Sequence, residues 1–179
     1  MPQTQHLLTI TLAGPQTPGL SRSIVAEIAE RGCNILDCRF APIGDQLFAA
    51  LMVDGNWSSL GRLETALPGV AEQLGLSFTC NRSQHRQPNT DMRPYAVEII
   101  APQAPGLLKE LLDYFHAQGI EVVEIVAQNY DAVQTGAPLA NLQLVIHVPM
   151  SLHPPTLRES FMDLCDDLHA DGLLDPIKV

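Results

Sequence analysis

Apolar positions along the chain switch between a strand rhythm and a helix rhythm, and they do so in the same order twice. The first apolar run, His6 to Ala13, predicts a strand. Leu20, Ile24 and Ile28 then recur at helical spacing and predict a helix from about Pro18 to Arg31. Gly32 stands where a helix end favours a residue able to take positive φ. Strands are predicted over Asn34 to Ala41 and Leu47 to Asp54. Leu60, Leu63 and Leu67 make a second helical stripe, which Pro68 is expected to kink or split. Leu74 to Cys80 closes the series as a strand.

The second half repeats the series. Tyr95 to Ala101 predicts a strand, and Leu108, Leu111, Leu112 and Phe115 place a helix from about Pro105 to Gln118. Strands follow over Glu121 to Gln128 and Leu139 to Val148, joined by a long connection read across Asn129 to Asn141. Pro154 and Pro155 suit the start of a helix striped by Leu157, Phe161, Leu164 and Leu168, with a last strand over Leu173 to Val179. At an offset of 87, Leu8 to Asp37 aligns without gaps on Tyr95 to Glu124, and the turn PQTPGL (15–20) returns as PQAPGL (102–107). A β-α-β-β-α-β order written twice predicts two tandem ferredoxin-like modules of the α+β class. Each would be a four-stranded antiparallel sheet with two helices on one face. The modules are expected over residues 4–82 and 93–179, with 83–92 as a linker inside the polar stretch NRSQHRQPNTDMRP (81–94). A module this small leaves a sheet face and edges open, which the other copy or a second chain in a homodimer can cover.

Charge separates the halves. Residues 1–94 hold eight acids and seven Lys/Arg, for −1; residues 95–179 hold twelve acids and three Lys/Arg, for −9. Duplex binding neutralises phosphates with clustered cations, and the second half offers only Lys109, Arg158 and Lys178. Direct DNA binding is therefore not expected. Asp163, Asp166, Asp167 and Asp171 form the densest acidic group and are a candidate docking surface for a basic partner, although a row of Asp also serves as a solvated helix face. No apolar run approaches the roughly 18 residues of a membrane helix. Cys33, Cys38, Cys80 and Cys165 follow no metal-ligand spacing, and with no secretory signal they predict reduced thiols in a cytoplasmic protein.

Catalysis is not expected. The six histidines are scattered, and neither Pro-Gly turn fits a phosphate loop or a dinucleotide fingerprint. No cofactor or metal is called for. The repeated turn has its own chemistry. Gly19 and Gly106 allow close approach to the backbone, and the helix start behind each presents free N–H groups favourable to a carboxylate. The plainer alternative is that Pro-Gly only starts a helix. On the ligand reading, Gln16, Thr17, Gly19, Leu20 and Asn34 form a small amino-acid site, with Gln103, Gly106 and Leu107 as the second copy.

The strand, x-x-Pro-Gly-Leu turn, helix and Gly-Cys-Asn-Ile-Leu-Asp-Cys-Arg segment (32–39) resemble the ACT domain, a regulatory amino-acid-binding module. Trp57 after Gly55-Asn56 and the Leu67-Pro68 break belong to the same resemblance, which extends over almost the whole chain. It implies an amino-acid ligand, with glycine first, and control of glycine cleavage genes through a partner transcription factor. The alternative is a free-standing amino-acid-binding protein that regulates another target or an enzyme. Two positions depart from the family pattern. Gln16 and Gln103 replace the usual acid, and a neutral amide bonds an ammonium group without pairing its charge. Glu121 stands where the first repeat has Asn34, which favours the first repeat as the binding one.

Overall fold

A computed structural model of the chain describes residues 6–84 and 90–177. It divides into two compact units, Met1–Gln87 and Pro88–Val179. The first contains β1 (His6–Pro15), α1 (Leu20–Glu30), β2 (Asn34–Ile43), β3 (Gln46–Gly55), α2 (Trp57–Leu74) and β4 (Ser77–Ser83). The second contains β5 (Met92–Pro102), α3 (Leu107–Ala117), β6 (Glu121–Asp131), β7 (Pro138–Pro149), α4 (Pro154–Asp167) and β8 (Asp171–Pro176). The sheet orders are β2-β3-β1-β4 and β6-β7-β5-β8, antiparallel throughout. These are the two ferredoxin-like modules that the repeated pattern predicts.

Packing, rather than local propensity, holds the helices. At 11 residues, α1 and α3 are too short to persist alone in water. Leu20, Ile24 and Ile28 of α1 and Leu60, Leu63, Leu67 and Ala71 of α2 lie buried against Leu8, Ile10 and Leu12 of β1 and alternate residues of β3. Each such Leu or Ile contributes about 1.5–3 kcal/mol on burial. The second module buries Leu107, Leu111 and Phe115 of α3 and Leu157, Phe161 and Cys165 of α4 in the same way.

Three boundaries differ from the sequence expectation. Helix α2 runs unbroken through Pro68 and on to Leu74, so β4 begins only at Ser77. Pro68 is exposed, so the carbonyl deprived of its N–H partner faces water and the helix carries on. Asn56 caps this helix by accepting from the Ser59 N–H at 2.8 Å. The connection expected across Asn129 to Asn141 shrinks to residues 132–137, because Tyr130 pairs with Leu139 and Asp131 with Pro138. Strands β4 and β5 also take up both ends of the expected linker; residues 85–89, like Lys178 and Val179 of the expected last strand, lie outside the described residues.

The outer strands β2 and β6 each carry a bulge. Pairing shifts between Ile35 and Asp37 in β2 and between Val122 and Glu124 in β6. An extra residue reverses which side chains face the helices beyond it. The helix-facing positions are therefore Ile35, then Cys38, Phe40 and Pro42, opposite Val53, Leu51, Ala49 and Leu47. In β6 they are Val122, then Ile125, Ala127 and Asn129.

Candidate functional site

The two Pro-Gly turns have nearly the same backbone. Gly19 and Gly106 precede their helices with φ of 79° and 92°, in the left-handed region that a side chain would strain. Leu20 donates its N–H to the Thr17 carbonyl at 3.2 Å, and Leu107 donates to that of Ala104 at 3.3 Å. Gln16 donates its N–H to the Asp45 carbonyl at 2.8 Å, and Gln103 to the Pro138 carbonyl at 3.0 Å, which ties each turn to the hairpin beside it. No side chain caps α1 or α3, so once the Leu20 and Leu107 N–H groups are paired within their own turns, the next N–H groups of each first turn are left to an acceptor from outside.

The predicted residues do not all converge. Gln16, Thr17 and Gly19 are exposed together on one turn, as are Gln103 and Gly106 on the other. Leu20 and Leu107 send their side chains into the cores, leaving only backbone for a ligand at the first turn. Asn34 was expected beside the first turn and stands instead at the far end of the sheet, paired with Asp54. Nine residue steps along the chain separate Asp54 from Asp45, roughly 30 Å at about 3.4 Å per residue. Helix α1 imposes the separation, because the chain leaves the turn along it and re-enters the sheet at the opposite end.

The surroundings of the turns differ more than their backbones. Each sheet has a hollow of about 430 Å³ on its open face, among Thr11, Ala41, Phe48 and Thr79 in the first and Glu98, Val126, Gln143 and Val145 in the second. At the second turn itself there is a hollow of about 610 Å³, bordered by Gln103, Lys109, Ala127, Asn129, Ala140 and Leu142. At the position of Ala127 the first module has Phe40, half-buried and packed on the core. At the position of Asn129 it has Pro42. Lys109 stands at the rim in an ion pair with Asp113 one turn along α3, and that hydrogen bond holds its pKa above the ordinary lysine value. Sequence reasoning missed Lys109, Ala127 and Asn129. The signal was present, since the 87-residue offset continues into β2 and β6 and sets Phe40 against Ala127.

The acidic group is exposed as predicted. Asp163, Asp166 and Asp167 project from the outer side of α4, and Asp171 opens β8. Burial raises the Cys165 pKa, and the charges of Asp166 and Asp171 push it further. Burial likewise raises the Cys33 and Cys80 thiols above the ordinary cysteine value. Among the described residues, no group of three His, Cys, Asp or Glu is placed to hold a metal ion. No described helix is long and apolar enough to cross a membrane.

Residues 6–81, the first module, match the ACT domain family. Two curated relatives, the glycine cleavage system transcriptional repressors of Escherichia coli K12 and Shigella flexneri, are each 26% identical over 174 residues. The match spans 97% of this chain and 92% of theirs. Among solved structures, one described as a candidate glycine cleavage system transcriptional repressor is 25% identical, with a TM-score of 0.67 over 99% of this chain and 100% of that one. An uncharacterised protein from Galdieria sulphuraria has the same fold at 17% identity, with a TM-score of 0.77 over 97% and 99% of the chains.

Proposed function

We propose that the chain is a regulatory amino-acid sensor that governs glycine cleavage genes through a partner transcription factor. The observation that carries this reading is its likeness, along nearly the whole of both chains, to the glycine cleavage system transcriptional repressor. The tandem fold supports it, because among the described residues neither module has a helix free of its own sheet to enter a DNA groove. The charge balance supports it as well, since residues 95–179 carry −9. In this role the Pro-Gly turns hold the amino acid, through Gln16, Thr17, Gly19 and Leu20 in the first module and Gln103, Gly106 and Leu107 in the second. The exposed Asp163, Asp166, Asp167 and Asp171 meet the partner protein, and nothing in the role requires catalysis.

A melting screen against the twenty amino acids tests the sensor. A ligand at 100 times its dissociation constant adds about 2.7 kcal/mol, a shift of several degrees. If no amino acid moves the transition, the turns are structural only. Replacing the four Asp by Asn is expected to slow capture of the partner and flatten its salt dependence while the fold persists. An unchanged rate and salt slope would remove the acidic surface from the mechanism.

A further inference from the structure

We infer that the amino-acid site is unequal between the modules: the second turn binds an α-amino acid with an aliphatic side chain, and Ala127 is the residue that admits it. This deepens the sensing role proposed above and rests on it. The hollow at the second turn has a floor of Ala127, Ala140 and Leu142 and a rim of Gln103, Lys109 and Asn129. Apolar floor and polar rim suit a ligand with one apolar and one zwitterionic end. The Gln103 and Asn129 amide oxygens can accept from the ammonium group, and Lys109, which the ligand carboxylate would share with Asp113, has further N–H donors to offer it. The side chain then lies on the floor. Glycine has nothing to place there.

The first module shares the turn but not the hollow's floor. Phe40 occupies the position of Ala127 and is itself packed on the core, while Pro42 replaces the amide of Asn129. The difference lies on two edge-strand positions, so it can be exchanged without rebuilding a helix.

Calorimetry on the full chain with leucine and with glycine decides the matter. One leucine is expected per chain, bound about tenfold to a hundredfold more tightly than glycine, as burial of an aliphatic side chain implies. Ala127→Phe should weaken leucine at least tenfold without lowering the melting temperature, since phenylalanine suits a strand. Asn129→Asp, which keeps the acceptor and adds charge, should instead retain or strengthen binding. Tighter glycine than leucine, or leucine binding unchanged by Ala127→Phe, would overturn the inference and leave the sensing role standing. If neither these two nor any other amino acid binds the unaltered chain, the sensing role itself fails.

Discussion

The two modules fill one fold with aromatic rings from opposite layers. In the first, Phe40 and Phe78 project from the sheet toward the helices, and the central helix positions are aliphatic, Ile28 and Leu67. In the second, the central rings come from the helices, with Tyr95 the one core ring from the sheet: Phe115 stacks on Phe161 at 6.4 Å between centroids, with Tyr114 edge-on at 5.2 Å. The matching sheet positions are then Ala127 and Gly172, the latter opposite Ile99 as Phe78 is opposite Leu12. At the centre the exchange keeps the layers filled. At the rim, no helix covers Ala127, and the missing ring leaves the hollow beside the second turn open. A repeated fold thus gains a local difference by moving bulk between layers.

The largest test of this exchange is truncation of a ring. Phe115→Ala should destabilise the second module by about 3–5 kcal/mol, while Ile28→Val at the matching place in the first should cost only about 0.5–1.5. Denaturant midpoints measured by circular dichroism read both, and comparable losses would mean that Phe115 is no keystone. A smaller effect tests the vacancy on β8. A Cβ added at Gly172 would lie 2.3 Å from the Cys165 Sγ and 3.0 Å from the Phe161 ring. Gly172→Ala should therefore cost about 1–3 kcal/mol, and Phe161→Leu in the same chain should absorb part of that loss. Strict additivity of the pair would show that helix ring and strand glycine are not exchanged bulk.

The smallest test concerns the ends of α2 and α4. The first ends on Gly75 at φ 68°, whereas His169 takes φ 52° at the matching place, the one non-glycine residue with positive φ among those described. Relief of that strain should make His169→Gly stabilising by about 1 kcal/mol. A loss of stability would mean that the imidazole has an undetected structural role.

Helical stripes such as Leu20-Ile24-Ile28 and the repeated Pro-Gly turn were enough to establish the number of modules, their order of elements and the two turns. Those features depend on neighbours within one or two helical turns, and such information is local. The exposed acids were also legible, because three of them fall between the buried Phe161 and the half-buried Leu168 on the stripe of α4. Pro68 misled because its cost depends on which side of the helix faces water, and the packed sheet settles that.

Asn34 and Ala127 show what the sequence left undecided. Whether Asn34 reaches the first turn depends on strand order and direction, which place it at the far end of the sheet beside Asp54. Simple alternation from Ile35 and Val122 would have turned Arg39 and Val126 toward the helices and Phe40 and Ala127 away from them. The bulges at Leu36 and Val123 reverse that assignment. One unpaired residue flips every later side chain on the strand, and it forms only where the partner strand's pairing demands it. The sequence by itself therefore determined that Phe40 and Ala127 differ; the tertiary pairing decided that the difference faces the turn.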